Sequence, residues 1–138
     1  MVYKSCSPEQ TEAIAAAFAK DLKGGTVVAF FGGLGMGKTA FVRGMAKGRG
    51  LSAEVSSPTF ALVHEYGGQP PLVHFDMYRV SGWEDLYSTG YFEYIDAGCI
   101  LAVEWSENIE AALPEGNTVR VTITAEGETT RCITIEEE

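Results

Sequence analysis

The segment FFGGLGMGKTAFVRGMA, residues 30–46, sets four glycines at 32, 33, 35 and 37 and follows them at once with Lys38 and Thr39. Glycine costs conformational entropy wherever it is not needed, so such a cluster marks a backbone that must turn sharply or approach something closely. The run before it, TVVAFF (26–31), is apolar, β-branched at its start and of strand length, which suits a strand buried on both faces. After it, KTAFVRGMAK (38–47) reads as a helix, weakened by Gly44. A buried strand that feeds a helix through a glycine turn commits the chain to an α/β architecture.

Gly32-x-x-x-x-Gly37-Lys38-Thr39 satisfies GxxxxGK[ST] in the strand-to-helix context that this pattern requires. Bare backbone can wrap so that successive N–H groups point inward at a polyphosphate. Gly33, Leu34, Gly35, Met36, Gly37, Lys38, Thr39 and Ala40 are the residues expected to form that cradle. The first amides and the dipole of the following helix add to the anion site. Lys38 is expected to reach the outer phosphates, and the Thr39 hydroxyl to hold Mg²⁺. ATP and Mg²⁺ are therefore the expected cofactors, and the lack of an NKxD guanine signature favours adenine.

Phosphate chemistry of this kind needs a further carboxylate at the end of a hydrophobic strand, to organise the metal or the attacking water. Asp76 closes LVHF and Glu104 closes ILAV. The pattern leaves open which of them faces the metal and which the water. SSPTF (56–60) sets small hydroxyls about twenty residues past Thr39, with Pro58 fixing the backbone. It reads equally as a segment that orders around the γ-phosphate or as a capped turn.

The rest of the chain fits one domain, residues 1–138, without repeats or a dividing linker. Ser7 as N-cap, Pro8 at the first turn and Gln10 three residues after the cap predict a helix, ended by Gly24-Gly25, with Ile14, Phe18 and Leu22 on its apolar face. FALVHEY and LVHFDMY flank GGQPP as a hairpin, and SGWEDLYSTGYFEYIDAG holds one or two short helices. CILAVEW is a buried strand, SENIEAALP a short helix capped by Ser106, and the C-terminal residues form two alternating strands around Glu126-Gly127. Parallel βαβ signals mixed with hairpins predict a three-layer α/β sandwich whose central sheet is both parallel and antiparallel.

Ten basic against nineteen acidic side chains give a net charge of -9, a surface that repels a nucleic-acid backbone; no direct DNA binding is expected. Cys6, Cys99 and Cys132 form no CxxC and argue for a reducing, cytoplasmic setting. No apolar run approaches the ~20 residues that cross a bilayer. His64 and His74 would face each other across the hairpin, but no further zinc ligand has supporting spacing. His74 is expected to support Asp76. Arg43 and Arg79 suit either phosphate contact or surface ion pairs. Trp83, Tyr87, Tyr91, Phe92 and Tyr94 suit either a core or a docking surface.

GGLGMGKTAFVRG, SSPTF, HFDMYR and AVEW, in this order and at these separations, resemble the TsaE (YjeE-type) P-loop ATPases of bacteria over nearly the whole chain. The resemblance implies an ATPase needed for threonylcarbamoyladenosine formation in tRNA, acting on a TsaB–TsaD complex and meeting tRNA through it. It implies phosphate contact by Lys38, Mg²⁺ ligation by Thr39, a switch-like hydroxyl at Thr59 and a hydrolytic role for Asp76 beside the metal or the water. Glu104 becomes the metal-side carboxylate, Trp105 a neighbour of the nucleotide, and Thr11 a contact to base or ribose. Gly33 departs from the family, which usually has an acid there. The rival readings are a small-molecule kinase, for which no lid insertion is visible, and a nucleotide-gated adaptor with little hydrolysis.

Overall fold

The computed structural model describes residues 1–32, 36–51 and 63–137, with Met36 described by its backbone alone. The roles expected of Gly33, Leu34 and Gly35, of the Met36 side chain, and of the SSPTF segment with Thr59 lie outside the described residues.

The chain opens with β1 (Val2–Ser5) and α1 (Pro8–Ala19), and the apolar run 26–31 forms β2 (Val27–Phe31). The glycine turn leads into α2 (Met36–Gly48). The hairpin strands are β3 (Val63–Gly67) and β4 (Leu72–Asp76), followed by α3 (Trp83–Ser88) and α4 (Tyr91–Asp96). Then come β5 (Ile100–Glu104), a 3-10 helix (Ser106–Ala112), β6 (Thr118–Ala125) and β7 (Arg131–Glu137). All seven strands join one sheet in the order β1-β7-β6-β2-β5-β4-β3. β2 runs parallel to both β5 and β6, and β4 parallel to β5, while the three remaining pairings are antiparallel. The mixed sheet is the one expected.

Alternation along β2 builds the two outer layers. Val28 and Phe30 join Ala15, Ala19, Phe41, Val42 and Met45 in one core, under α1 and α2. Val27 and Ala29 point the other way, into a core with Leu86, Tyr91 and Ile109. Phe30 and Phe41 are fully buried and meet edge to face, 5.5 Å between ring centroids. Each such burial stabilises the fold by about 1.5–3 kcal/mol.

Helix α1 begins as expected, with the Gln10 amide donating to Ser7 Oγ at 3.1 Å and the Gln10 side chain accepting from the Cys6 amide at 2.7 Å. Two expectations about it are corrected. The helix ends at Ala19, ahead of Gly24-Gly25, and its most buried line is Thr11, Ala15 and Ala19. Ile14, Phe18 and Leu22 only flank that line. Small residues face α2 because the two helices touch closely: a Cβ on Gly44 would lie 2.3 Å from the Glu12 carbonyl oxygen. Gly44, a weakness by propensity, is what admits α1. Ser106 is not the cap of its helix but its first residue; its hydroxyl donates to the Val103 carbonyl at 2.9 Å, and Trp105 takes the cap position in a left-handed conformation.

Because β2, β4, β5 and β6 are mutually parallel through their pairings, their carboxyl ends share one edge of the sheet. Gly32, Asp76, Glu104 and the β6–β7 loop all stand there. In open α/β sheets this edge is where ligands bind.

Candidate nucleotide site

Gly32 leaves β2 at φ +104°, and a Cβ there would lie 2.7 Å from the Ile123 carbonyl oxygen. A side chain is excluded both by the backbone conformation and by the close approach of β6. The chain then enters α2, whose third and fourth residues are Lys38 and Thr39. Lys38 is 4% exposed, an unusual place for an ammonium. Its Nζ donates to the Gly32 carbonyl at 3.0 Å and stands 5.9 Å from the centre of the Trp105 ring. The Lys38 side chain is thus folded back toward the exit of β2. Thr39 is half-buried beside it.

Asp76 and Glu104 are direct partners in the β4–β5 register. Alternation puts them in the row of Leu72, Ile100 and Ala102, the side that packs under α2. Glu104 is 5% exposed. Burial pushes the Asp76 carboxyl above the usual carboxylate range, and the negative charge of Glu104 adds to this. The Tyr78 amide, donating to Asp76 Oδ1 at 2.9 Å, pulls the other way. Two carboxylates thus share one end of the sheet, where the charge of Glu104 raises the cost of ionising Asp76.

His74, expected to support Asp76 by packing or hydrogen bonding, makes its hydrogen bonds to other groups. Its Nε2 lies 2.6 Å from Glu104 Oε2, and its Nδ1 lies 3.2 Å from the Tyr66 hydroxyl. Tyr66 was not legible as a site residue: its link to the site depends on the pairing of β3 with β4, not on any local motif. His64 and His74 are register partners, as the hairpin predicted.

Trp105 is 41% exposed at φ 60°, a conformation that costs a non-glycine residue roughly 1 kcal/mol or more. Its ring packs edge to face on exposed Tyr78, 4.9 Å between centroids. The strained turn directs the ring back toward Lys38.

On the other side of the α2 N-terminus, a cavity of about 340 Å³ is lined by Ser7, Thr11, Gly37, Ala40, Glu128 and Arg131. Thr11 is 2% exposed and its hydroxyl shares a 2.7 Å hydrogen bond with Ser5 Oγ. Glu128 in the β6–β7 turn and Arg131 at the start of β7 were missed from the sequence because only strand order carries them to α2. Arg131 Nη1 donates to the carbonyls of Gly127 and Thr130 at 3.2 and 3.1 Å, which steadies the wall. Arg43 is an ion-pair residue, bonded to Glu12 at 3.2 Å, and Lys47 shares the same carboxylate. Arg79 is exposed. Of the aromatic stretch, Tyr91 belongs to the core while Trp83 and Tyr87 are more than half exposed, at 54% and 59%.

Residues 5–133 match the family model described as threonylcarbamoyl adenosine biosynthesis protein TsaE. A Bacillus subtilis protein described as tRNA threonylcarbamoyladenosine biosynthesis protein TsaE is 38% identical over 133 residues, covering 96% of this chain and 82% of the relative. The Treponema pallidum protein of the same description is 38% identical over 107 residues, 77% of this chain and 79% of the relative. The crystal structure of Bacillus subtilis YdiB superposes with a TM-score of 0.82 at 33% identity, covering 99% of this chain and 84% of that one. With the strand-to-helix glycine turn, the paired acids and the Trp105 turn already in this order along one sheet edge, the chain belongs to the TsaE family of tRNA threonylcarbamoyladenosine biosynthesis.

Proposed function

We propose that this protein is a Mg²⁺-dependent ATPase that serves threonylcarbamoyladenosine modification of tRNA by acting on a TsaB–TsaD complex in the cytoplasm. The observation that carries this reading is the convergence of buried Lys38 with the Asp76–Glu104 pair at one sheet edge, under the N-terminus of α2.

The residues suit magnesium. Thr39 contributes a hydroxyl, and Asp76 and Glu104 contribute carboxylates, a hard-oxygen set. Among the described residues no group of three or more His, Cys, Asp or Glu could hold a metal by itself. That suits an ion carried largely by phosphate oxygens and water, with one or two carboxylates, better than a protein cage. When bound, Mg²⁺ supplies charge neutralisation on the phosphates.

The chain's own residues do the remaining work. Loop amides and the α2 dipole orient the triphosphate. Lys38 exchanges the Gly32 carbonyl for phosphate oxygens, so its charge meets the negative charge that grows there during transfer. Asp76, its carboxyl pushed upward by burial, is placed to accept a proton from an attacking water. Glu104 holds the metal side. Thr11 and the β6–β7 turn receive the nucleoside in the cavity beside Gly37 and Ala40.

An acidic chain favours acting on tRNA through partner proteins over gripping it. The three free cysteines accord with a reducing compartment, and no helix among the described residues is long and apolar enough to cross a membrane. Phosphate release from ATP, measured with Mg²⁺ and with or without TsaB and TsaD, tests the proposal. Release that rises with the partners is expected. Transfer of the γ-phosphate to a metabolite instead would overturn it in favour of a kinase.

A further inference from the structure

We infer that Tyr66 and His74 form a hydrogen-bond chain that fixes the Glu104 carboxylate for its cation, with His74 a positioning residue whose Nε2 faces Glu104 and whose Nδ1 faces Tyr66. This rests on the magnesium reading of Glu104 above. The chain crosses three neighbouring strands in one line: Tyr66 on β3, His74 on β4 and Glu104 on β5. The register of β3 against β4 shifts between Glu65 and Gly67, so the irregularity falls at Tyr66 itself. Irregularities of this kind re-aim a side chain.

Burial sets the demand on these groups. His74 is fully buried and Glu104 nearly so, which makes an unmatched donor or acceptor costly. An ionised carboxylate only accepts, so the 2.6 Å contact requires a hydrogen on His74 Nε2. Nδ1, on the other side of the ring, meets the Tyr66 hydroxyl at 3.2 Å. Burial, reinforced by the charge of Glu104, pushes the Tyr66 phenol up and keeps it a donor. Both ring nitrogens are therefore engaged, and the imidazole is held at two points.

With Oε2 committed to the imidazole, Oε1 is the oxygen left for the cation or its water. A carboxylate anchored from behind in this way keeps its orientation without spending the oxygen that faces the metal.

The test uses the whole chain. Long-range ¹H–¹⁵N spectra of the ligand-free protein at neutral pH should show a hydrogen on His74 Nε2. Affinity for a non-hydrolysable ATP analogue is then measured in Mg²⁺ and in EDTA for wild type, His74→Ala, His74→Gln and Tyr66→Phe. His74→Ala should lose about 10–100-fold of apparent Mg²⁺ affinity while binding in EDTA is unchanged. His74→Gln, which can return an N–H to Glu104, should restore most of it, and Tyr66→Phe should show a smaller loss. A merely structural role would lower melting temperature and leave the Mg²⁺ dependence alone. A wild-type His74 ring with no hydrogen on Nε2, or wild-type Mg²⁺ dependence in His74→Ala, overturns the inference. If His74→Ala does not fold, the wild-type spectrum and Tyr66→Phe decide. A wild type that binds no analogue in either condition sinks the triphosphate reading, and the spectrum still decides the hydrogen-bond chain.

Discussion

Asp76 and Glu104 are register partners at the carboxyl ends of two parallel strands, so one sheet edge presents two carboxylates on the side covered by α2. They are not equivalent. Glu104 is buried and tied to His74, whereas Asp76 is half-buried, raised in affinity for its proton by burial, and bonded to a backbone amide. Under the proposed function, this asymmetry suits Glu104 to the fixed, metal-facing part and Asp76 to proton traffic.

Asp76→Asn should therefore reduce ATP hydrolysis by about 10²–10⁴-fold while making the protein more stable at neutral pH. The folded-state carboxyl is raised above its unfolded value. Its contribution is fully present below the unfolded carboxyl range and is lost as pH rises through the folded value. Melting temperatures of wild type and variant should converge at low pH and separate in favour of the variant as pH rises. A gap that closes toward neutral pH would contradict the assignment.

Gly44→Ala separates helix propensity from packing. In an isolated helix alanine would gain roughly 1 kcal/mol. Here the new methyl would lie 2.3 Å from the Glu12 carbonyl oxygen and 2.8 Å from the Ala15 Cβ. Overpacking of this kind costs typically about 1–3 kcal/mol. Urea unfolding should show a net loss, and a gain would mean that α1 and α2 do not cross as described.

The strand and helix that flank the glycines, the two acid-ended strands and the mixed sheet were legible because each is written in a short local pattern. The Lys38 and Thr39 positions follow from the same eight residues. What sequence could not deliver depends on register and strand order. His74 sits two residues from Asp76, yet β4–β5 pairing gives its hydrogen bond to Glu104. Gly44 looked like a flaw because the Glu12 backbone it admits is 32 residues away in sequence. Arg131 reaches the α2 cavity only because β6 lies next to β2.

Thr11→Val tests the nucleoside cavity apart from the phosphate cradle. The substitution keeps the volume and removes the hydroxyl that meets Ser5 Oγ and lines the wall. Affinity for ATP should fall about tenfold, near the upper end for one hydrogen bond, while affinity for inorganic triphosphate stays unchanged. Equal losses for both ligands would move Thr11 out of the nucleoside contact.

The central claim is that residues 32–39 enclose a triphosphate, with Lys38 as its buried cation. Isothermal titration of a non-hydrolysable ATP analogue with Mg²⁺ into wild type and Lys38→Ala tests it most directly, with folding checked by circular dichroism. One saturable site is predicted for the wild type, weakened by about 10²–10³-fold in the variant. Folded wild type that gives no saturable binding, alone or with TsaB and TsaD, or a variant that binds as the wild type does, would contradict it.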